Sequence, residues 1–259
     1  MVCHAGPRDR VFEERHSVAS VAIVTRGTFQ YRSSSGRELM MPGSLLLGNP
    51  GQSFECGHEH GIGDRCISFA YQPEYFEELV AECGIGLQRS RFATLRVPPL
   101  RESSSAIARA CALHAAVDED LSGEWEEVGV ELAARALEMP SNGDRGSAVL
   151  PAAESRVTRV VRMIENCPDL EHDLVSLARE AKLSRYHFLR VFQQLTGVTP
   201  HQFILRTRLR RAATRLMTEC AQVLEVAMDS GFGDVSNFNH AFRAEFGISP
   251  GKYRKRNGS

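Results

Sequence analysis

The sequence predicts an α+β chain: a small β-barrel followed by two helices in the first half, and an all-α second half. Three observations carry this. Residues 15–71 break into short apolar runs (VASVAIV, LMM, SLLLG, CISFAY) separated by turn signals at Thr25-Arg26-Gly27, Ser35-Gly36, Pro42-Gly43 and Pro50-Gly51. Many short strands at close spacing are the pattern of a barrel or sandwich. From about 103 to 138 the period lengthens to three or four, with Ile107, Ala110, Cys111 and His114 on one helix and Val128, Leu132, Ala136 and Met139 on the next. Beyond Pro151 the whole chain reads as helix, and it repeats itself.

The segment Pro140 to Pro151 (PSNGDRGSAVLP) is rich in Gly, Ser and Pro without an apolar period, so it is read as a linker. This divides the chain into 1–139, a linker at 140–153, and 154–259. The 259 residues suit two domains. The net charge of −1 conceals an asymmetry: residues 154–259 hold 17 Lys+Arg against 11 Asp+Glu, or +6, leaving −7 for the remainder. A basic half can neutralise phosphates and an acidic half cannot. No run of about 18 apolar residues occurs, so no transmembrane helix is expected. Residues 1–10 are polar and lack an apolar signal core, so a cytoplasmic location is expected. The seven cysteines then read as thiols or metal ligands and not as a disulfide framework.

The second half repeats with a period of 50 residues. Phe188 matches Phe238, Phe192 matches Phe242, Gly197 matches Gly247 and Pro200 matches Pro250, while Thr199/Ser249 and Phe203/Tyr253 match in kind. Each copy reads as helix, tight turn, helix. In the first, Leu174, Leu177, Ala178 and Ala181 form an inner face, Lys182-Leu183 turn, and Ser184 caps a helix that buries Phe188, Val191, Phe192 and Leu195. Its outer face carries Arg185, Tyr186, Leu189, Arg190 and Gln193. In the second, Val223, Val226 and Ala227 face inward, Gly231 supplies a turn with positive φ, and Asp234 caps a helix burying Phe238, Ala241 and Phe242. Its outer face carries Val235, Ser236, Asn239, His240 and Arg243. Small Ala178 and Ala227 permit the close, steep crossing of a helix-turn-helix. Outer faces of this composition suit the major groove, where Arg pairs with guanine and Asn with adenine. The bland alternative is a pair of solvated helix faces.

On Leu177-Ala178, Leu183-Ser184, Phe188, Arg190, Phe192, Gly197, Pro200, Arg208-Leu209, Ala212, Leu216, Ala227, Ser230-Gly231-Phe232, Asp234, Ser236, Phe238, Phe242, Phe246-Gly247, Ser249-Pro250 and Tyr253-Arg254, residues 157–256 resemble the DNA-binding domain of the AraC family of transcription regulators. The resemblance implies seven helices, with a long one over about 200–218 holding two reading helices one DNA turn apart, ~34 Å. It implies double-stranded DNA as partner, a homodimer, and RNA polymerase as a further partner if the chain activates. His240 departs from the family, which usually has Arg or Lys there. Leu189 and Val235 are apolar at outer positions and suit thymine methyl groups or weak readout. The first half is similar to the cupin-like effector domains that precede this module, on Met41-Pro42-Gly43-Ser44-Leu45-Leu46-Leu47 and Asn49-Pro50-Gly51. That implies a sensor barrel, with the helices of 103–138 as dimer contact.

Cys56, His58, His60 and Cys66 form C-x-H-x-H-x5-C. On a strand over 54–60, the first three share one face. Thiolate and imidazole together suit zinc, copper(I) or another soft metal. His16 is a fifth candidate, and Cys3 and His4 are within conceivable reach. Gly57, Gly61 and Gly63 argue instead for a loop, and buried free thiols are common. Metal site, thiol redox site and plain structure therefore all stand open. The leading functional reading is a regulator whose barrel binds an effector, either a small molecule or a metal. The other is a cupin-type metalloenzyme tethered to DNA. No carboxylate pair or Ser-His-Asp set supports catalysis, so no catalytic residue is assigned.

Overall fold

The computed structural model describes residues 2–3, 6, 9, 11, 13–58, 63–84, 91–115, 122–140 and 151–257. Among them, two antiparallel sheets build the first half. One sheet runs β1 (Val2–Cys3), β8 (Asp64–Tyr71), β3 (Ala19–Arg26), β6 (Leu45–Gly48), β9 (Arg96–Val97). The other runs β2 (Glu13–Arg15), β7 (Ser53–Gly57), β4 (Phe29–Ser33), β5 (Gly36–Met40). β3 explains its own sequence. Its six residues from Ala19 to Val24 are all buried, because both faces are covered. Ala19, Val21 and Ile23 face a core shared with helices, and Ala22 and Val24 face the second sheet's Phe29, Tyr31 and Met40. A strand buried on both faces reads as a continuous apolar run and not as an alternation.

Helix α1 (Pro73–Glu82) was not expected from the sequence, although Pro73 at its start and Phe76, Leu79 and Val80 buried at helical spacing are its cause. The two expected helices are α2 (Ser104–Ala115) and α3 (Ser122–Leu137). Ala106, Ile107 and Ala110 of α2, with Val128, Leu132 and Ala136 of α3, close the core of the first sheet. The second half comprises seven helices among the described residues: α4 (Pro151–Asn166), α5 (Leu174–Glu180), α6 (Arg185–Thr196), α7 (Pro200–Thr218), α8 (Val223–Asp229), α9 (Val235–Phe246) and α10 (Pro250–Asn257). Helix α4 begins inside the expected linker, whose residues 141–150 lie outside the described ones.

The halves are packed together. Leu39 and Met41 join the core of the first helical unit, and Ala108 joins that of the second. Polar contacts fasten the seam. Arg37 pairs with the buried Glu154 at 3.0 Å, and the Gly27 N–H donates to Glu165 at 2.9 Å. Buried Arg96 donates to the Leu39 and Leu195 carbonyls at 3.0 and 2.8 Å. Helix α2 is therefore covered by the barrel on one side and by α7 and α9 on the other, with Ser104 bonded to Glu245. The expectation that both α2 and α3 serve as dimer contact is corrected for α2: its alanine-rich surface is spent inside the chain. No helix among the described residues is long and apolar enough to cross a membrane.

Candidate nucleic-acid interface

Two short helices, α6 and α9, carry the ten residues singled out by the sequence. Each is set by the same devices. Ser184 accepts from the His187 N–H at 3.3 Å and Asp234 from the Asn237 N–H at 2.7 Å, so each helix starts at a satisfied cap. Each ends at a left-handed glycine, Gly197 (φ +80°) and Gly247 (φ +79°), as a helix C-terminus favours. Each buries an aromatic pair with the same geometry. Phe188 and Phe192 lie 5.5 Å apart at 57°, and Phe238 and Phe242 lie 5.4 Å apart at 57°. The ladder continues edge-on to Phe203 in one unit and to Tyr253 in the other.

With the aromatics buried, the opposite face points out. Arg185, Tyr186, Arg190, Gln193, Ser236, Asn239, His240 and Arg243 are exposed, Tyr186 to 77%. Leu189 and Val235 are half-buried at the edges of their helices. Among the described residues, Arg185, Arg190 and Arg243 have no ion-pair partner, whereas Arg159, Arg206 and Arg215 of the same half are paired. Unpaired guanidiniums on an exposed helix face are available for phosphate or guanine. Helix α7 joins the two units. A capping box of Thr199 and Gln202 fixes its start, and Leu209, Ala212, Ala213 and Leu216 fix its middle in the second core.

The candidate metal residues are distributed differently. Strand β7 ends at Gly57, so the shared strand face expected over 54–60 does not extend to position 60. His60 lies outside the described residues. His58 is buried and its Nε2 lies 2.6 Å from Asp64 Oδ1, while the Cys66 thiol donates to Asp64 Oδ2 at 3.3 Å. Burial, with the Asp64 carboxylate beside it, pushes the Cys66 thiol up and keeps it protonated. His16 is elsewhere, stacked on Phe54 and hydrogen-bonded to Tyr31 Oη at 2.8 Å and Ser20 Oγ at 3.2 Å. Burial lowers its pKa. Among the described residues, no three His, Cys, Asp or Glu side chains gather into a set that could hold a metal.

Sequence reasoning missed Arg210. It lies on α7 with its side chain buried, its Nη2 donating weakly to Pro42 O at 3.3 Å and Thr207 Oγ1 at 3.5 Å. Burial pushes its pKa down to about 10, which leaves it charged. The signal was its place on the stripe Phe203, Thr207, Arg210, Ala213, where an apolar residue belongs.

Two family models match the chain: an AraC-like ligand binding domain over residues 3–128 and a helix-turn-helix domain over 177–256. The transcriptional regulator MtrA of Neisseria gonorrhoeae is 31% identical over 105 residues, 40% of this chain and 35% of that protein. The transcriptional activator AarP of Providencia stuartii is 30% identical over 100 residues, 39% of this chain and 74% of that protein. The match spans about a third of the length of the first curated relatives. Among solved structures, the DNA-binding domain of AdpA in complex with a target DNA is 33% identical, covering 39% of this chain and 91% of that one with a TM-score of 0.38.

Proposed function

Since this chain belongs to the AraC family of transcription regulators, we propose that it binds specific double-stranded DNA through α6 and α9 and that its barrel domain adjusts this binding in response to an effector. One observation carries the reading. Two helix-turn-helix units, matched in the aromatic pair of the second helix and in the aromatic that follows it, present polar faces and are joined by one continuous helix, α7. Such a pair suits successive segments of the major groove. Effector control follows if an effector binds one arrangement of the packed halves better than another. The regulator acts in the cytoplasm as a homodimer through the exposed part of α3, meets RNA polymerase if it activates, and performs no chemistry of its own.

The test is selection of bound duplexes from a random-sequence library, followed by fluorescence anisotropy over a salt series. A selected duplex is expected to bind on the order of 10³-fold or more tightly than random duplex at physiological salt. Equal affinity for every duplex would overturn sequence-specific regulation. Metal content of the purified chain, offered zinc and copper(I), separates the effector classes. Stoichiometric metal that vanishes in Cys56→Ser would make the effector a metal, and its absence would leave a small molecule.

A further inference from the structure

The cores of the two helix-turn-helix units share no residue. Helix α7 enters the first through Phe203 and Ile204 and the second through Leu209, Ala212, Ala213 and Leu216. A second connection runs beside it. The loop over 167–170 belongs by sequence to the first unit, since it follows α4 and leads to α5. In space its Asp169 lies against the turn of the second unit. A Cβ on Gly231 would stand 2.7 Å from the Asp169 Cα and from its carbonyl oxygen. The two main chains therefore touch where no side chain fits.

One residue of α7 holds the loop in that place. Arg208 Nε donates to Pro168 O at 2.6 Å, and its Nη2 donates to Leu170 O at 2.8 Å. These donors lie on one edge of the planar guanidinium, so the carbonyls on either side of Asp169 are gripped as a pair. The loop is also closed on itself. Cys167 O accepts from the Leu170 N–H at 3.3 Å and from His172 Nε2 at 2.7 Å, and Pro168 is buried beneath. The first unit shows that a left-handed turn does not by itself demand glycine. At the matched place in its backbone, Lys182 holds positive φ with its side chain exposed. The contact with Asp169 is what the second turn adds.

We propose that Arg208, the 167–170 loop and Gly231 form a bracket that sets the separation of the two reading helices. Arg208 is then a positioning residue for DNA recognition: it selects the spacing between the base segments that α6 and α9 read. The proposal rests on the specific-binding reading above and adds what determines spacing. Arg208 acts without touching DNA. With the bracket closed, the two units meet the duplex already ordered at one separation, which strengthens binding at that spacing and weakens it at others.

Fluorescence anisotropy of the full chain tests this on the selected duplex, on random duplex, and on selected duplexes with one base pair inserted or removed between the two recognised segments. The base preferences relaxed by Arg190→Ala and His240→Ala locate those segments. One base pair shifts a segment by about 3.4 Å and turns it by about 35°. The wild type is expected to lose roughly tenfold to a hundredfold in affinity at the altered spacing, as for one or two mismatched base pairs. Arg208→Lys keeps the charge and loses the fork that makes both hydrogen bonds. Gly231→Asn places a residue that tolerates positive φ and adds the Cβ that meets Asp169. Each variant is expected to bind the selected duplex more weakly and to shrink the spacing penalty by about threefold or more, with affinity for random duplex unchanged. Thermal melts identify a variant that fails to fold, and the other variant then decides. Equal losses on every duplex would reduce Arg208 to packing, and a penalty kept at its wild-type size would leave spacing to α7 alone; either overturns the bracket. So does a wild type that binds every spacing alike. A wild type with no preferred duplex overturns instead the reading of sequence-specific binding.

Discussion

At an offset of 50 residues, α9 repeats the aromatic pair and the closing glycine of α6: Phe238 for Phe188, Phe242 for Phe192, and Gly247 for Gly197 at the same φ within a degree. Nothing on the outer face repeats. Arg185, Tyr186, Leu189, Arg190 and Gln193 stand opposite Val235, Ser236, Asn239, His240 and Arg243. Packing holds the aromatic pair fixed, since a dense core tolerates little change of volume, while flanking inner positions trade sizes, Val191 for Ala241 and Thr196 for Phe246. The outer residues are constrained only by what they touch. Two units with one core and two faces are suited to reading two different base sequences.

The turns differ as well. In the first unit the Leu183 N–H donates to Ala178 O at 3.0 Å, and in the second the Phe232 N–H donates to Ala227 O at 3.2 Å. These partners are 49 residues apart, while the helices that follow are 50 apart. The second unit therefore carries one extra residue between turn and cap, where Gly233 precedes Asp234. The residue with positive φ is Lys182 in one turn and Gly231 in the other.

The largest effect should come from breaking the shared cores. Phe188→Ala and Phe238→Ala each remove a fully buried ring and should cost about 3–5 kcal/mol. Urea melts of the two variants are expected to show losses within about 1 kcal/mol of each other, since the ring geometry is matched. A silent variant would mean the two cores are not equivalent.

The turns come next. Gly231→Val forces a β-branched residue to φ +84° and sets its Cβ 2.7 Å from the Asp169 Cα and carbonyl oxygen. The backbone conformation alone costs about 1–3 kcal/mol, and a clash with main chain is not relieved by a rotamer. Lost affinity for the selected duplex is expected, with thermal stability lowered. Unchanged affinity would show that the second unit contributes nothing to binding.

The faces come third. Arg190→Ala should cost about 1–3 kcal/mol in specific binding and relax the preference at one base pair, if Arg190 reads guanine. His240→Ala, at the matched position, should relax a different one. Equal losses on selected and random duplexes would make Arg190 a phosphate contact.

How much of this was legible depends on the range of the interactions. Strand runs, caps and the aromatic repeat are local or periodic, and the sequence carries them openly. The seam between the halves is neither. Arg37 with Glu154, Gly27 with Glu165 and Arg96 with the Leu195 carbonyl join residues about a hundred positions apart, one pair at a time, with no period to betray them. Arg210 was legible only as an arginine out of place on an apolar stripe. The C-x-H-x-H spacing left a shared strand face and a glycine-rich loop both open, and only the structure places the end of β7 at Gly57 and His58 against Asp64.

The smallest expected effect concerns Lys182, the one non-glycine residue with positive φ among those described. A left-handed L-residue costs about 1–2 kcal/mol, and glycine removes that cost while adding about 0.5–1 kcal/mol of unfolded-state entropy. Lys182→Gly should therefore raise stability by up to about 1 kcal/mol in urea melts and leave the fold unchanged. The substitution preserves the backbone bonds of the turn, in which the Lys182 N–H donates to Arg179 O and its carbonyl accepts from Arg156. It also makes the first turn chemically like the second. Lys182 is exposed and lies just before α6, separated from it by Leu183 and Ser184, a place from which a positive charge would reach the phosphate backbone of a duplex bound by that helix. Lys182→Gly is then expected to weaken selected and random duplexes equally and to flatten the salt dependence by about one phosphate contact. A variant that is more stable and binds DNA unchanged would leave the lysine without a role. A variant that is less stable would mean that its aliphatic stem packs in the turn, and the comparison with Gly231 would fail at that position.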